Sequence, residues 1–258
     1  VLKHGSQTYS INSITYSIPE RTIAVGEFGV ILNTQQFTGL TGTSNIIPNK
    51  YKVNLRAITQ TEMYYWICGD DGTLLKVRKH DFLLEKININ IIKNLKSISF
   101  YNNLKGVVVG DLNTILITND GGLNWDSIIV DDFESYYYNK VLFQSQDKIY
   151  IVGNTGVFIE LEEDISGWTA YKRRISKFID DYEEYLLVDN INDIIYSNVY
   201  WNLSSSSEQQ FRDFGETTIK EFLLLVTNDG KIIANDLNSV TNFDFIYLEF
   251  NSIYGDIT

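Results

Sequence analysis

One cysteine, one methionine, two prolines and two histidines are spread over 258 residues, and each scarcity removes a class of chemistry. A lone Cys68 closes no intramolecular disulfide, and its apolar surroundings suit a buried thiol rather than a nucleophile. His4 and His80 stand in no metal-ligand or triad spacing, so histidine acid–base catalysis has little to draw on. Basic residues are short too. The 21 Lys and Arg against 33 Asp and Glu leave a net charge of −12, which disfavours a nucleic-acid surface and repels an anionic membrane. No apolar run reaches the roughly 18 residues of a transmembrane helix, and no basic-then-apolar start marks a signal peptide. No stretch carries the Asp-x-Asp-x-Asp-Gly spacing of a calcium loop. The acidic groups Asp131-Asp132, Glu162-Glu163-Asp164 and Asp180-Asp181 read as solvated connections. The expectations are therefore no metal, no cofactor, no nucleic acid and no membrane insertion.

What is present is a repeat. Ile23-Ala24-Val25-Gly26 with Gly29-Val30-Ile31-Leu32 matches Trp66-Ile67-Cys68-Gly69 with Gly72-Thr73-Leu74-Leu75. Val107-Val108-Val109-Gly110 with Thr114-Ile115-Leu116-Ile117 and Tyr150-Ile151-Val152-Gly153 with Gly156-Val157-Phe158-Ile159 follow. Gly26, Gly69, Gly110 and Gly153 fall 43, 41 and 43 residues apart. Two degraded copies run from Leu186-Leu187-Val188-Asp189 to Asp193-Ile194-Ile195-Tyr196 and from Leu224-Leu225-Val226-Thr227 to Gly230-Lys231-Ile232-Ile233. Each unit reads as strand, tight turn, strand, because β-branched and aromatic runs are broken by turn-forming Gly, Asn and Asp.

A unit of about 40 residues is what a four-stranded propeller blade consumes. The spacing therefore predicts an all-β fold: a six-bladed β-propeller of four-stranded antiparallel blades, with seven blades, one incomplete, as the alternative. The expected blades are 11–52, 53–93, 94–136, 137–174, 175–214 and 215–250. Inner strands are expected at Asn12-Ser13-Ile14, Arg56-Ala57-Ile58, Lys96-Ser97-Ile98 and Lys140-Val141-Leu142. Asn251-Ser252-Ile253 repeats the first of these, so 1–10 and 251–258 are expected to close the ring.

Thr118-Asn119-Asp120-Gly121-Gly122-Leu123-Asn124-Trp125 stands out within the third unit. Asp120 is placed to accept turn N–H groups, Gly121 and Gly122 permit positive φ, Thr118 supplies a hydroxyl, and Trp125 is placed to pack between blades. The octapeptide resembles the Asp-box of sialidases, sortilin-type receptors and the photosystem II assembly factor family, in which a Gly-x-x-Gly-x-Ile segment precedes Thr-x-Asp-Gly-Gly-x-x-Trp. Thr227-Asn228-Asp229-Gly230 is similar but occupies an earlier turn of its unit, and Gly167-Trp168 reads as a worn end of the motif. The resemblance implies a folding device on the blade periphery, away from any active centre.

A sialidase-like glycosidase is an alternative that the resemblance raises, for sialidases grip a carboxylate with three arginines. Here Arg21, Arg56, Arg78, Arg173, Arg174 and Arg212 show no such cluster; only Arg56 precedes an inner strand near the channel. The expectation is no enzyme. Aromatics are plentiful instead, with 17 Tyr and 14 Phe. Tyr136-Tyr137-Tyr138 and Tyr182-Glu183-Glu184-Tyr185 fall between units, as candidate contact loops or as fillers of the blade gaps, and Ser204-Ser205-Ser206-Ser207 reads as a loop tip. Abundant Asn, Ile, Tyr and Lys with only two Pro suggest an AT-rich genome, and irregular blades of this kind are common in phage virion proteins. The main expectation is thus a structural or adhesive propeller of a virion or phage tail, contacting other subunits of a larger assembly, a host receptor or a surface glycan. The alternative is a secreted or periplasmic assembly-factor or receptor propeller that binds one protein partner.

Overall fold

The computed structural model describes residues 2–4, 7–17, 21–35, 43–130, 135–173, 176–179, 182–185, 191–199, 220–227, 232–236 and 245–248. A hairpin of β1 (Leu2–His4) and β2 (Gln7–Tyr9) comes first. Blade 1 is then β3 (Ile11–Ser17), β4 (Arg21–Gly26), β5 (Ile31–Gln35) and β6 (Thr43–Ile46). Blade 2 is β7 (Leu55–Gln60), β8 (Tyr64–Gly69), β9 (Thr73–Arg78) and β10 (Leu84–Ile87). Blade 3 is β11 (Leu95–Phe100), β12 (Gly106–Gly110), β13 (Ile115–Thr118) and β14 (Asp126–Ser127). Blade 4 is β15 (Tyr138–Ser145), β16 (Lys148–Gly153), β17 (Phe158–Asp164) and β18 (Gly167–Arg173). A hairpin of β19 (Ser176–Ile179) and β20 (Tyr182–Tyr185) precedes blade 5: β21 (Ile191–Val199), β22 (Lys220–Thr227), β23 (Ile232–Asp236) and β24 (Phe245–Leu248). Every blade is an antiparallel meander in chain order. The fold is the expected all-β propeller of four-stranded sheets.

The blade division differs from expectation at its C-terminal end. The described residues form five four-stranded sheets, and strands of the expected fifth and sixth units, 175–214 and 215–250, share one of them. The reason is register. In blades 1 to 4 the inner strand opposes its glycine and then skips one residue: Ile11 opposes Gly26, Leu55 Gly69, Leu95 Gly110 and Tyr138 Gly153. In blade 5 Ile191 opposes Thr227 with the same skip. Thr227 therefore holds the glycine's place, and the two degraded copies are inner and second strands of a single blade. β1 and β2 pair with each other, so this part of the expected closing segment 1–10 forms its own hairpin. The expected strand at 186–189, the serine run at 204–207 and the closing segment 251–258 lie outside the described residues.

The four glycines do other work than the turn chemistry their sequence context suggests. A Cβ on Gly26, Gly69, Gly110 or Gly153 would stand 1.9–2.3 Å from the carbonyl oxygen of Ser10, Asn54, Asn94 or Tyr137; the incoming chain crosses there at backbone contact. The turn itself follows one residue later. Phe28/Gly29, Asp71/Gly72, Leu112/Asn113 and Thr155/Gly156 are consecutive pairs at positive φ. Each is closed by an i+3 N–H bond, Val30 to Glu27, Thr73 to Asp70, Thr114 to Asp111 and Val157 to Asn154, at 3.1–3.3 Å. This is the type I′ geometry whose twist suits a two-residue hairpin.

Second strands are sandwiched between neighbouring blades and so bury successive residues on both faces, as in β8 and β12. Ile23, Val25 and Ile31 meet Ile58, Tyr65, Ile67, Leu75 and Val77 between blades 1 and 2. Trp66, Cys68 and Leu74 meet Ile98, Val108 and Leu116 between blades 2 and 3. Val107, Val109, Ile115 and Ile117 meet Val141, Ile149, Ile151 and Ile159 between blades 3 and 4. Cys68 is buried in this packing, and burial raises its thiol pKa well above the usual range.

Candidate protein-contact surface

In a four-stranded meander, the turn between second and third strands and the connection to the next blade share one end of the sheet. Connections here lock onto those turns. Gly72 N–H donates to Lys93 O, Asn113 N–H to Tyr136 O and Asn154 N–H to Tyr137 O at 2.9–3.0 Å. Asn49 Nδ2 donates to Gly29 O at 2.9 Å. The result is a braced rim, here termed the connector face.

At the inner edge of this face stand the residues skipped by the bulges, Asn12, Arg56, Lys96 and Asn139. Arg56 pairs with Asp70, which also accepts from Asn54 at 3.1 Å. Lys96 pairs with Asp111 at 2.9 Å, and Asn94 donates to the other oxygen of that carboxylate at 3.0 Å. Asn139 donates to Asn154 Oδ1 at 2.8 Å. The belt also stitches blades together: Asn12 reaches Leu55 O, Lys96 reaches Asn139 Oδ1, Asn139 reaches Ile191 O, and Lys140 pairs with Asp193. Each charge in it has an opposite partner, an arrangement that fixes position rather than poising an acid and a base.

The arginines confirm this separation. Arg21 lies over the Phe82 ring, Arg56 is in the belt, and Arg78 is bridged to Asp81 at 2.6 Å. Three described arginine side chains thus sit in three places, and they form no carboxylate grip. His80 lies on the turn with Asp81, its Nδ1 3.6 Å from that carboxylate. Among the described residues no three His, Cys, Asp or Glu side chains gather as metal ligands, and no helix is long and apolar enough to cross a membrane.

The Asp-box is built as its residue types require. Asp120 Oδ1 accepts from the Leu123 and Asn124 N–H groups at 3.0 and 2.9 Å and from the Thr118 hydroxyl at 2.8 Å. Thr118 Oγ1 in turn accepts from Gly122 N–H at 2.9 Å. The Asn124 N–H, the Asn124 side chain, Thr118 and the Leu123 N–H hold the Asp120 carboxyl down to about 2 against the opposing effect of burial. Gly121 and Gly122 have φ of 73° and 80°, and a Cβ on Gly122 would stand 2.2 Å from the Trp66 ring. Trp66 stacks on Phe100 at 4.9 Å and meets Trp125 edge-on at 6.1 Å. The motif therefore clamps blade 3 onto blade 2, at the end of the sheets opposite the connector face.

Of the candidate contact tyrosines, Tyr136 and Tyr138 are buried in the core between blades 3 and 4, where they fill the blade gap. Their alternation on a strand entering the blade turns both rings inward, while Tyr137 points out, 40% of Tyr137 being exposed. Tyr182 and Tyr185 pair with Ile179 and Ser176 in the β19–β20 hairpin, and their side chains lie outside the described residues. Sequence reasoning missed Phe28 and Leu112. Both occupy the first central position of a type I′ turn with φ near 55°, and they are 74% and 42% exposed. Glu27-Phe28-Gly29 in the place of Asp70-Asp71-Gly72 was the readable signal.

Residues 79–175, under half of the chain, match the family model described as photosynthesis system II assembly factor YCF48. No curated protein matches the chain. Among solved structures, YCF48 bound to D1 peptide superposes with a TM-score of 0.58 at 13% identity, over 93% of this chain and 67% of that one. YCF48 from Cyanidioschyzon merolae does so with a TM-score of 0.58 at 14% identity, over 93% and 72%. The chain is thus an Asp-box propeller resembling the photosystem II assembly factor, and these likenesses show a shared fold.

Proposed function

We propose that this propeller binds a protein partner on its connector face and catalyses no reaction. The observation that carries the reading is the pair Phe28 and Leu112. A bulky apolar residue at positive φ costs folding energy, of order 1 kcal/mol or more, where Asn, Asp or Gly would sit without strain. Exposed as they are, neither ring nor isobutyl group regains that cost inside the blade. A contact with something outside the chain gives both residues a purpose. The rigid rim beneath them and the exposed Tyr137 on the same face suit a preorganised docking surface.

The solved YCF48 bound to a D1 peptide supports a polypeptide as the occupant. The same comparisons favour the assembly-factor alternative over a virion or phage-tail component, for which neither fold nor site offers support. A secreted or periplasmic location accompanies this reading. The scattered arginines and the fully paired belt speak against a glycosidase.

Site-specific photo-crosslinking tests the reading. A crosslinker placed at Phe28 or Leu112 is expected to trap one defined protein in source cells. The same group at the exposed Glu85 on β10 should trap nothing in common with it. Identical capture from all three positions, or none from the rim, overturns the assignment.

A further inference from the structure

At the end of the sheets opposite the connector face, the turns that join inner and second strands are bonded from blade to blade. Glu62 N–H donates to Asn103 Oδ1 and Asn103 Nδ2 to Glu62 Oε2, both at 2.9 Å, which ties the turn of blade 2 to that of blade 3. Gln60 Nε2 donates to Tyr16 O of blade 1 at 2.6 Å, and Lys79 Nζ to Gln60 Oε1 at 2.9 Å. Asn102 Oδ1 accepts from the Leu104 and Lys105 N–H groups, each at 2.8 Å. These bonds fix which end of each carboxamide carries the oxygen. They also hold the side chains in place.

The same residues line one hollow of about 510 Å³, whose walls also carry the rings of Tyr16, Phe100 and Tyr101. Phe100 is anchored by its stack on Trp66, whereas Tyr16 and Tyr101 are 52% and 48% exposed. Bonding capacity is left over around them. Among the described residues, the Asn102 NH₂ and the remaining Lys79 N–H groups have no acceptor, Glu62 Oε1 has no donor, and both tyrosine hydroxyls are unbonded. The contrast with blade 3 is direct. There Lys105 closes onto Glu163 and Gln146 O, while Lys79 makes no ion pair among the described residues and its ammonium stays turned to a carboxamide and the Tyr65 ring.

We propose that this hollow binds a neutral sugar ring of a glycan. A pyranose presents a C–H face that lies on aromatic surface and a rim of hydroxyls that each donate and accept. Tyr16, Phe100 and Tyr101 supply the surface, with an apolar body and, for the tyrosines, a polar tip. The spare donors and acceptors stand around them in fixed positions, so little ordering is left to be done on binding. Charge decides against other ligands. Lys79 and Glu62 line the same hollow, so an ion of either sign meets a like charge there, whereas a hydroxyl accepts from the ammonium and donates to the carboxylate. The spare groups belong to side chains and not to a strand edge, so main-chain pairing with a peptide is not what the hollow offers. This site and the connector face lie at opposite ends of the sheets, and each stands or fails separately.

The test applies the labelled full chain to a printed array of neutral, sialylated and sulfated glycans, and then titrates the bound structures as free oligosaccharides by saturation-transfer NMR. Wild type is compared with Tyr16→Ala, Tyr101→Ala and the rim variant Phe28→Asn. At least one neutral glycan is expected to bind wild type and Phe28→Asn alike and to lose about tenfold or more in Kd with each tyrosine variant. Tyr101 packs on Phe143, whereas Tyr16 is half exposed, so Tyr16→Ala keeps the test valid if Tyr101→Ala does not fold. A phage-displayed library of random peptides is panned in parallel. Binding to anionic glycans alone, glycan binding indifferent to the tyrosine variants, no glycan binding, or capture of peptides in place of glycans through Tyr16 would each overturn the proposal.

Discussion

The junction between blades 2 and 3 and the junction between blades 1 and 2 solve one packing problem with different chemistry. Both insert an aromatic ring from the outer turn of the later blade against the earlier one. In the first, Trp125 meets Trp66 and Phe100, Gly122 lies flat on Trp66, and Lys76 closes the polar edge on Gly121 O. In the second, Phe82 takes the place of the tryptophan, with Arg21 5.5 Å from its ring centroid, and Asn33 replaces Lys76 with no partner for its oxygen. Trp168, with Lys105 over its ring at 5.7 Å, makes a third such wedge between blades 3 and 4. A complete Asp-box thus marks the fuller junction, although the Trp125 indole N–H there has no partner either. The one without it keeps a smaller wedge and a groove.

The largest effect should come from filling the closest contact at the complete junction. Gly122→Val sets a branched Cβ against the Trp66 ring at a φ of 80°, which predicts a loss of about 3–5 kcal/mol in urea unfolding from overpacking and backbone strain together. Next comes the wedge itself. Trp125→Ala is expected to cost about 3 kcal/mol and Phe82→Ala about 1–2 kcal/mol, both rings being half-buried. Equal losses from the two would erase the distinction between the junctions.

Asp120→Ala should cost about 1–2 kcal/mol, for it strands the Leu123 and Asn124 amides. Its pH dependence has a definite sign. The folded carboxyl is held down to about 2, below its ordinary value, so its contribution is complete above about pH 4 and is lost as pH falls through 2. The difference in melting temperature between wild type and Asp120→Asn should therefore stay constant above pH 4 and shrink toward pH 2. A gap that persists unchanged at pH 2 would mean the carboxylate is not the clamp. Asp81, also held near 2 by Arg78, titrates in both proteins and leaves the comparison intact.

How far the sequence reveals these things follows the same divide. Blades 1 to 4 were readable because the close approach of the incoming strand forces glycine at Gly26, Gly69, Gly110 and Gly153, and a forced glycine is visible. The C-terminal units were divided differently because Asp193-Ile194-Ile195-Tyr196, the inner strand that pairs with Leu223–Val226, looks like a unit of its own when no glycine marks the second strand. The Asp-box was readable for the same reason as the glycines, since its hydrogen bonds admit few residue types. Tyr136 and Tyr138 could be read either as contacts or as gap fillers, because alternation on a strand, not proximity to a loop, decides which ring turns inward. Asn33 left no trace at all. Its meaning lies in the absence of a donor 49 residues later in the chain, where Phe82 and its turn leave unfilled what Gly121 and Trp125 fill elsewhere, and no local pattern encodes a missing neighbour.

The smallest effect is also the one that bears hardest on the comparison. Asn33→Leu removes a buried oxygen that has no partner and adds apolar volume beside Ile23 and Phe82. If the blade 1 and 2 junction is built only to hold the ring, the free protein should gain up to about 1 kcal/mol, because deleting an unsatisfied polar group recovers part of its desolvation cost. The parallel change Lys76→Leu at the complete junction should instead destabilise by about 1 kcal/mol, because it takes a donor from Gly121 O and a cation from the Trp66 face. Opposite signs from the same substitution at equivalent positions would establish that one junction is finished by its own chain and the other is left open. A loss of stability in both would place a hidden donor on Asn33 and return the two junctions to the same class.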